Sequence, residues 1–197
     1  MSQARSIAVV MIPVLLLLAG TAEAHTGTGA LGGFLSGLKH PVFGLDHLVA
    51  MVAVGLWGAF LGAPAIWLLP VVFPLVMALG GVLGILGVPL PHVETWIALS
   101  AVVLGLCVFA AFRPPLWVAA AIVGAFGLFH GHAHGTELPN AANPLTYSIG
   151  FVLATGLLHL CGIAIGLLIG VRGGQYVVRA AGAVVAVAGA AFLAGYA

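Results

Sequence analysis

The chain has 197 residues, of which 63% are hydrophobic and only 5% charged, with a formal net charge of +1 and a mean hydropathy of +1.28. Apolar stretches at this density exclude an ordinary soluble domain and predict helices in a membrane. The near-zero charge and the absence of any basic run exclude nucleic acid as a partner.

The first 24 residues read as a secretory signal peptide: Arg5 supplies a positive start, Ile7 to Leu18 an apolar centre, and Ala22-Glu23-Ala24 a small-x-small cleavage site. Cleavage after Ala24 leaves a single domain, residues 25–197, that begins at His25. There the new α-amine and the imidazole together form a potential metal chelate. A Gly-rich segment from His25 to Leu38 follows, and then six candidate spans at about 43–62, 65–88, 93–111, 116–134, 146–170 and 176–196. Pro, Gly or Asn marks every connector between them, which makes successive helices antiparallel neighbours. The expected fold is all-α, a polytopic membrane bundle of about six transmembrane helices after a cleaved signal peptide. An exported N-terminus puts the connectors holding Arg113, Arg172 and Arg179 on the cytoplasmic side, which agrees with the positive-inside bias, with Lys39 dissenting. The expected location is the bacterial cytoplasmic membrane, with the mature N-terminus in the periplasm.

Chemistry-bearing residues concentrate in two runs. In the first, His40-Pro41-Val42-Phe43-Gly44-Leu45-Asp46-His47, Pro41 suits a first helical turn, so a helix is expected to start near His40. His40 and His47, seven apart, then share a face that Met51 continues, and Asp46 lies about 100° away around the helix. Imidazole and carboxylate suit borderline divalent ions, and a thioether adds a weak, soft contact. The competing reading pairs Asp46 with Lys39 and leaves His47 as a satisfied buried polar group.

The second run, His130-Gly131-His132-Ala133-His134-Gly135-Thr136-Glu137, closes the fourth span. His130 and His134 share a helix face, whereas His132 points elsewhere and Glu137 falls near the outer surface. A solvent-facing loop is the alternative for His132 and Glu137. Both runs lie at the outer end of their helices. Deeper, His159 sits about 20 Å along the fifth span, as the next station for an ion or as an interhelical hydrogen-bonding group. His92 and Glu94 stand at the outer mouth of the third span. Cys107 and Cys161 read as packing residues, since neither has CxxC spacing. Pro70 and Pro74 kink the second span.

The HPxxGxDH run from His40 to His47, with Met51 and Gly55 following, and the FHGxAHGxE run from Phe129 to Glu137 together resemble the HupE/UreJ family of hydrogenase and urease accessory membrane proteins. Five residues separate His40 from Asp46, one more than in the better-known nickel/cobalt transporter family. The resemblance covers essentially the whole chain and implies a nickel permease, with cobalt handled by some relatives. By that resemblance His40, Asp46, His47, His130, His134 and Glu137 fall on the family motifs. The expected partners are a divalent ion and the lipid bilayer. Nickel or cobalt is the cargo, and no prosthetic group is expected. Without a Walker A motif the chain does not hydrolyse ATP, and without HExxH, or a nucleophile beside a base, it is not expected to be an enzyme. A membrane metalloenzyme, a haem-binding carrier and a non-transporting metal sensor remain the alternatives for the same cluster.

Overall fold

The computed structural model describes residues 30–136, 138 and 143–196. The expected signal peptide, His25 and Glu137 lie outside these residues. Seven α-helices follow one another: α1 (Ala30–Phe43), α2 (Leu45–Leu61), α3 (Ala65–Ile85), α4 (Val93–Phe109), α5 (Leu116–Thr136), α6 (Pro144–Gly166) and α7 (Gly174–Leu193). A 3₁₀ turn, Leu167–Gly170, prolongs α6. No strand occurs among the described residues, and the protein is an all-helical, multi-pass membrane protein.

The six expected spans correspond to α2 through α7. Four of these helices are long and apolar enough to cross a membrane (α3, α5, α6 with its 3₁₀ turn, and α7), and the pair α1–α2 makes a fifth if it counts as one span bent by 78°. With 17 residues, α4 extends about 25 Å, less than the roughly 30 Å of a hydrocarbon core.

The bend between α1 and α2 corrects the expected helix start. Pro41 lies in the last turn of α1, Gly44 breaks the helix, and α2 begins at Leu45 with Asp46 in its first turn. His40 and His47 therefore sit on different helices and do not share a helical face. The Gly-rich segment before them is helical because of its packing: Gly33 and Gly37 lie against the start of α6, where side chains at Thr146 and backbone at Tyr147 leave no room for a Cβ. Packing here overrides the poor helix propensity of glycine.

The closest helix pairs are not the successive ones. α3 packs most extensively on α5, α6 on both α1 and α2, and α4 on α7. Gly127 faces Phe73, Gly131 faces Met77 and Gly135 faces Gly81, so α3 and α5 run parallel in fixed register. Similarly, Gly162 of α6 meets the backbone at Val52 and Leu56 of α2, and Gly166 meets Leu56 and Ala59, again a parallel pair. α4 and α7 cross antiparallel through Gly105 and Gly182. In a bilayer the apolar effect does not drive helices together, so such backbone-to-backbone approach supplies the cohesion. The residues left exposed, such as Trp67, Leu75, Leu79, Trp117 and Val184, are the apolar exterior expected of a bundle solvated by lipid.

Cationic groups gather at the end opposite the histidines. Arg179 Nε donates to the Phe109 carbonyl at 2.7 Å, and the Arg113 guanidinium lies 4.3 Å above the Phe60 ring. Trp57 Nε1 donates to the Phe112 carbonyl at 3.3 Å, tying the buried end of α2 to the segment after α4.

Gly131→Ala is expected to lower stability by about 2 kcal/mol, because its methyl group collides with the Met77 backbone. Gly156→Ala, with open space around it, is expected to be neutral or to stabilise by about 0.5 kcal/mol. Thermal unfolding in detergent, followed by tryptophan fluorescence, checks both.

Candidate metal centre

Four histidines from three helices meet near the α1–α2 break. Ring centroids are 4.8 Å apart for His40 and His134, 4.5 Å for His47 and His134, 5.1 Å for His47 and His130 and 6.1 Å for His40 and His47. The bend does what a continuous helix was expected to do: it turns the end of α1 and the start of α2 towards the same space. His130 and His134 reach that space from one face of α5, one turn apart. Phe151 of α6 covers the cluster, its ring 4.2 Å from that of His134, and Tyr147 flanks His40 at 6.2 Å.

His130 is fully buried, and His47 and His134 are nearly so. His47 Nδ1 lies 2.8 Å from Asp46 Oδ1, which also accepts the His47 backbone N–H. His130 Nδ1 lies 3.0 Å from the Phe126 carbonyl. A carboxylate and a carbonyl only accept, so in each ring Nδ1 carries the proton and Nε2 keeps a lone pair. Both Nε2 atoms are buried without a partner, as are both ring nitrogens of His134. A buried polar atom left alone is costly, and an imidazole fixed through one nitrogen with the other free is the arrangement of a metal-ligating histidine. Asp46 is turned back onto His47 rather than towards Lys39, so its first role is to orient that ring. Among the described residues no three His, Cys, Asp or Glu donors are already converged on one point. Ring rotation is needed to bring the free nitrogens onto a common ion.

His132 is separated from this set. Its Nε2 lies 2.7 Å from the Val88 carbonyl, joining the end of α5 to the α3–α4 connector. Met51 is fully buried, one turn below His47 on α2. His92 and Glu94 are exposed at the start of α4. Cys107 and Cys161 are free thiols, the first buried and the second half-buried. A groove of about 280 Å³ between α3, α5 and α6 reaches the cluster, lined by Met77, Gly131, His134, Tyr147 and Phe151 among others.

Below the cluster the fully buried Phe73 ring lies 5.3 Å from His130 and 5.6 Å from His159. No motif marks Phe73. Its neighbours Pro70 and Pro74 are the only sequence signal, because Pro74 has no N–H to offer the Pro70 carbonyl. The His159 ring supplies the missing bond to that carbonyl.

The profile of the HupE / UreJ protein family matches residues 13–192. The chain belongs to the HupE/UreJ family. "Protein HupE" from Rhizobium leguminosarum bv. viciae is 52% identical over 180 residues, which cover 91% of this chain and 94% of that relative. No solved structure matches. In this HupE/UreJ protein the described histidines of both family motifs meet at one place, except His132, which faces away.

Asp46→Asn is expected to weaken divalent-metal binding about 10- to 100-fold by loosening the His47 ring. His132→Ala should lower stability by about 1–3 kcal/mol, through the stranded Val88 carbonyl, and leave the affinity unchanged. Calorimetric titration with Ni²⁺ and thermal unfolding separate the two effects.

Proposed function

We propose that this HupE/UreJ protein is a permease that lets Ni²⁺, or Co²⁺, pass from the periplasm to the cytoplasm and so supplies metal for hydrogenase or urease maturation. The observation that carries the reading is the repeated imidazole arrangement: Nδ1 is held by an oxygen and Nε2 is left buried and free. Such nitrogens can replace water around a borderline cation once the rings turn onto a common ion.

In this reading the outer site takes a partly dehydrated ion between His40, His47, His130 and His134, with Asp46 offsetting its charge and Glu137, three residues after His134 in the sequence, as a further candidate ligand. His25, whose α-amine is freed by signal cleavage, is a further candidate ligand in the same reading. The ion then moves inward past Met51 towards His159. The location of Arg113 and Arg179 at the opposite end supports a cytoplasmic face there. The ion follows its own gradient or is driven by a partner, since the chain carries no nucleotide motif. Irving–Williams affinities favour copper at such donors, so the nickel assignment rests on membership of the family.

The test is ⁶³Ni²⁺ uptake into liposomes holding the purified protein, with a His47→Ala/His134→Ala variant alongside. Saturable uptake, reduced about tenfold or more in the variant, is expected. Nickel binding with no uptake would defeat a self-sufficient permease and point to a missing partner or energy source, or to a sensor.

A further inference from the structure

We infer that Thr155 and His159 form a second, inner cation station, and that Phe73 separates it from the outer histidines. The inference rests on the permease reading and names a ligand, Thr155, and a barrier, Phe73, that the family motifs do not contain.

Thr155 is fully buried and His159 nearly so. They are four residues apart on α6, and so lie one above the other on the same face. Thr155 Oγ1 and His159 Nε2 are both buried without a hydrogen-bond partner. A helical threonine ordinarily satisfies its hydroxyl on the carbonyl one turn back, and Thr155 does not. Because the other His159 nitrogen is directed at the Pro70 carbonyl, the unpartnered Nε2 holds the lone pair. His159 thereby repeats the arrangement of His47 and His130. A hard oxygen beside an imidazole nitrogen suits a divalent first-row ion that keeps part of its water. Gly162 of α6 meets the backbone at Val52 and Leu56, and Gly166 meets Leu56 and Ala59, so the parallel register puts the buried Met51 of α2 nearer the height of His159 than that of Thr155.

The Phe73 ring lies 5.3 Å from that of His130 and 5.6 Å from that of His159, so it is the side chain that links the outer histidines to His159. It offers no lone pair, so an ion does not rest there and passes only when the ring turns aside. Pro70 and Pro74 flank it and remove two rungs from the α3 ladder, which leaves this turn of α3 the easiest to deform.

Thr155→Val keeps the side-chain shape and the Pro70 contact of His159 while deleting only the unpartnered hydroxyl. In proteoliposomes its initial ⁶³Ni²⁺ uptake at saturating metal is expected to fall about tenfold, the rate equivalent of one contact to a charged ligand. Calorimetric Ni²⁺ affinity at the outer site should stay within about twofold of wild type, because Thr155 is not one of its ligands. Its thermal stability should not fall, since no hydrogen bond is lost. His159→Gln is expected to give the same split between retained binding and lost flux. Uptake at the wild-type rate in both variants would overturn the inner station and assign the two polar atoms to trapped water, while the permease reading stands. Parallel loss of outer-site binding would also overturn it, by making the effect structural. Failure of the wild-type protein to transport would remove both readings together.

Discussion

A buried imidazole has two nitrogens, and hydrocarbon supplies a partner for neither. Three of the deep histidines meet this constraint in the same half-complete way. An oxygen from the same chain takes the Nδ1 proton: Asp46 for His47, the Phe126 carbonyl for His130 and the Pro70 carbonyl for His159. The second nitrogen is then fixed in direction and left without a protein partner. His132, at the edge of the bundle, is half-satisfied too, with Nε2 on the Val88 carbonyl and Nδ1 without a partner, but it stands apart from the cluster. What distinguishes the other three is that their directed lone pairs lie deep in the bundle, at or below the cluster.

Holding those lone pairs in position demands rigid spacing between helices, and glycine provides it. α5 carries His130 and His134 on the turns flanking Gly131, whose backbone touches α3 at Met77. α6 carries His159 where Gly55 of α2 abuts its backbone. Each donor is consequently mounted beside a backbone contact, with no flexible side chain between the helices to take up movement. The break at Gly44 has a complementary effect. It brings His40 into the cluster from a helix inclined by 78° to the one that carries His47.

Much of this was legible in the residue string. Hydropathy locates α2 through α7 to within a few residues, and the two motifs contain all four clustered histidines. What pattern alone misplaces is the route. The spacing of His40 and His47 suits one continuous helix, yet Gly44 divides it, because a residue seven positions away can be brought near by a bend as well as by two turns. α1 was hidden because Gly32, Gly33 and Gly37 depress helix propensity, and only the approach of α6 shows why glycine is needed there. The expectation of paired successive helices rested on short connectors, which set direction but not adjacency. Phe73 and Thr155 were illegible: an apolar ring and a lone hydroxyl within apolar stretches gain meaning only from what surrounds them. Asp46 was recognised as important, but its orientation towards His47 follows from local geometry that spacing does not encode.

The parallel pairing also bears on biogenesis. α2 enters the bilayer early in synthesis, bearing Asp46 and His47, but its glycine-lined partner α6 is made about a hundred residues later. α3 similarly waits for α5 across the whole of α4. At the synthesis rates of living cells, about 5–20 residues per second, the first motif must spend several seconds in or beside the membrane before its covering helix exists. During that interval the translocon or a membrane chaperone has to shelter a carboxylate and an imidazole from lipid. Final docking of the bundle is therefore a late, post-insertional step.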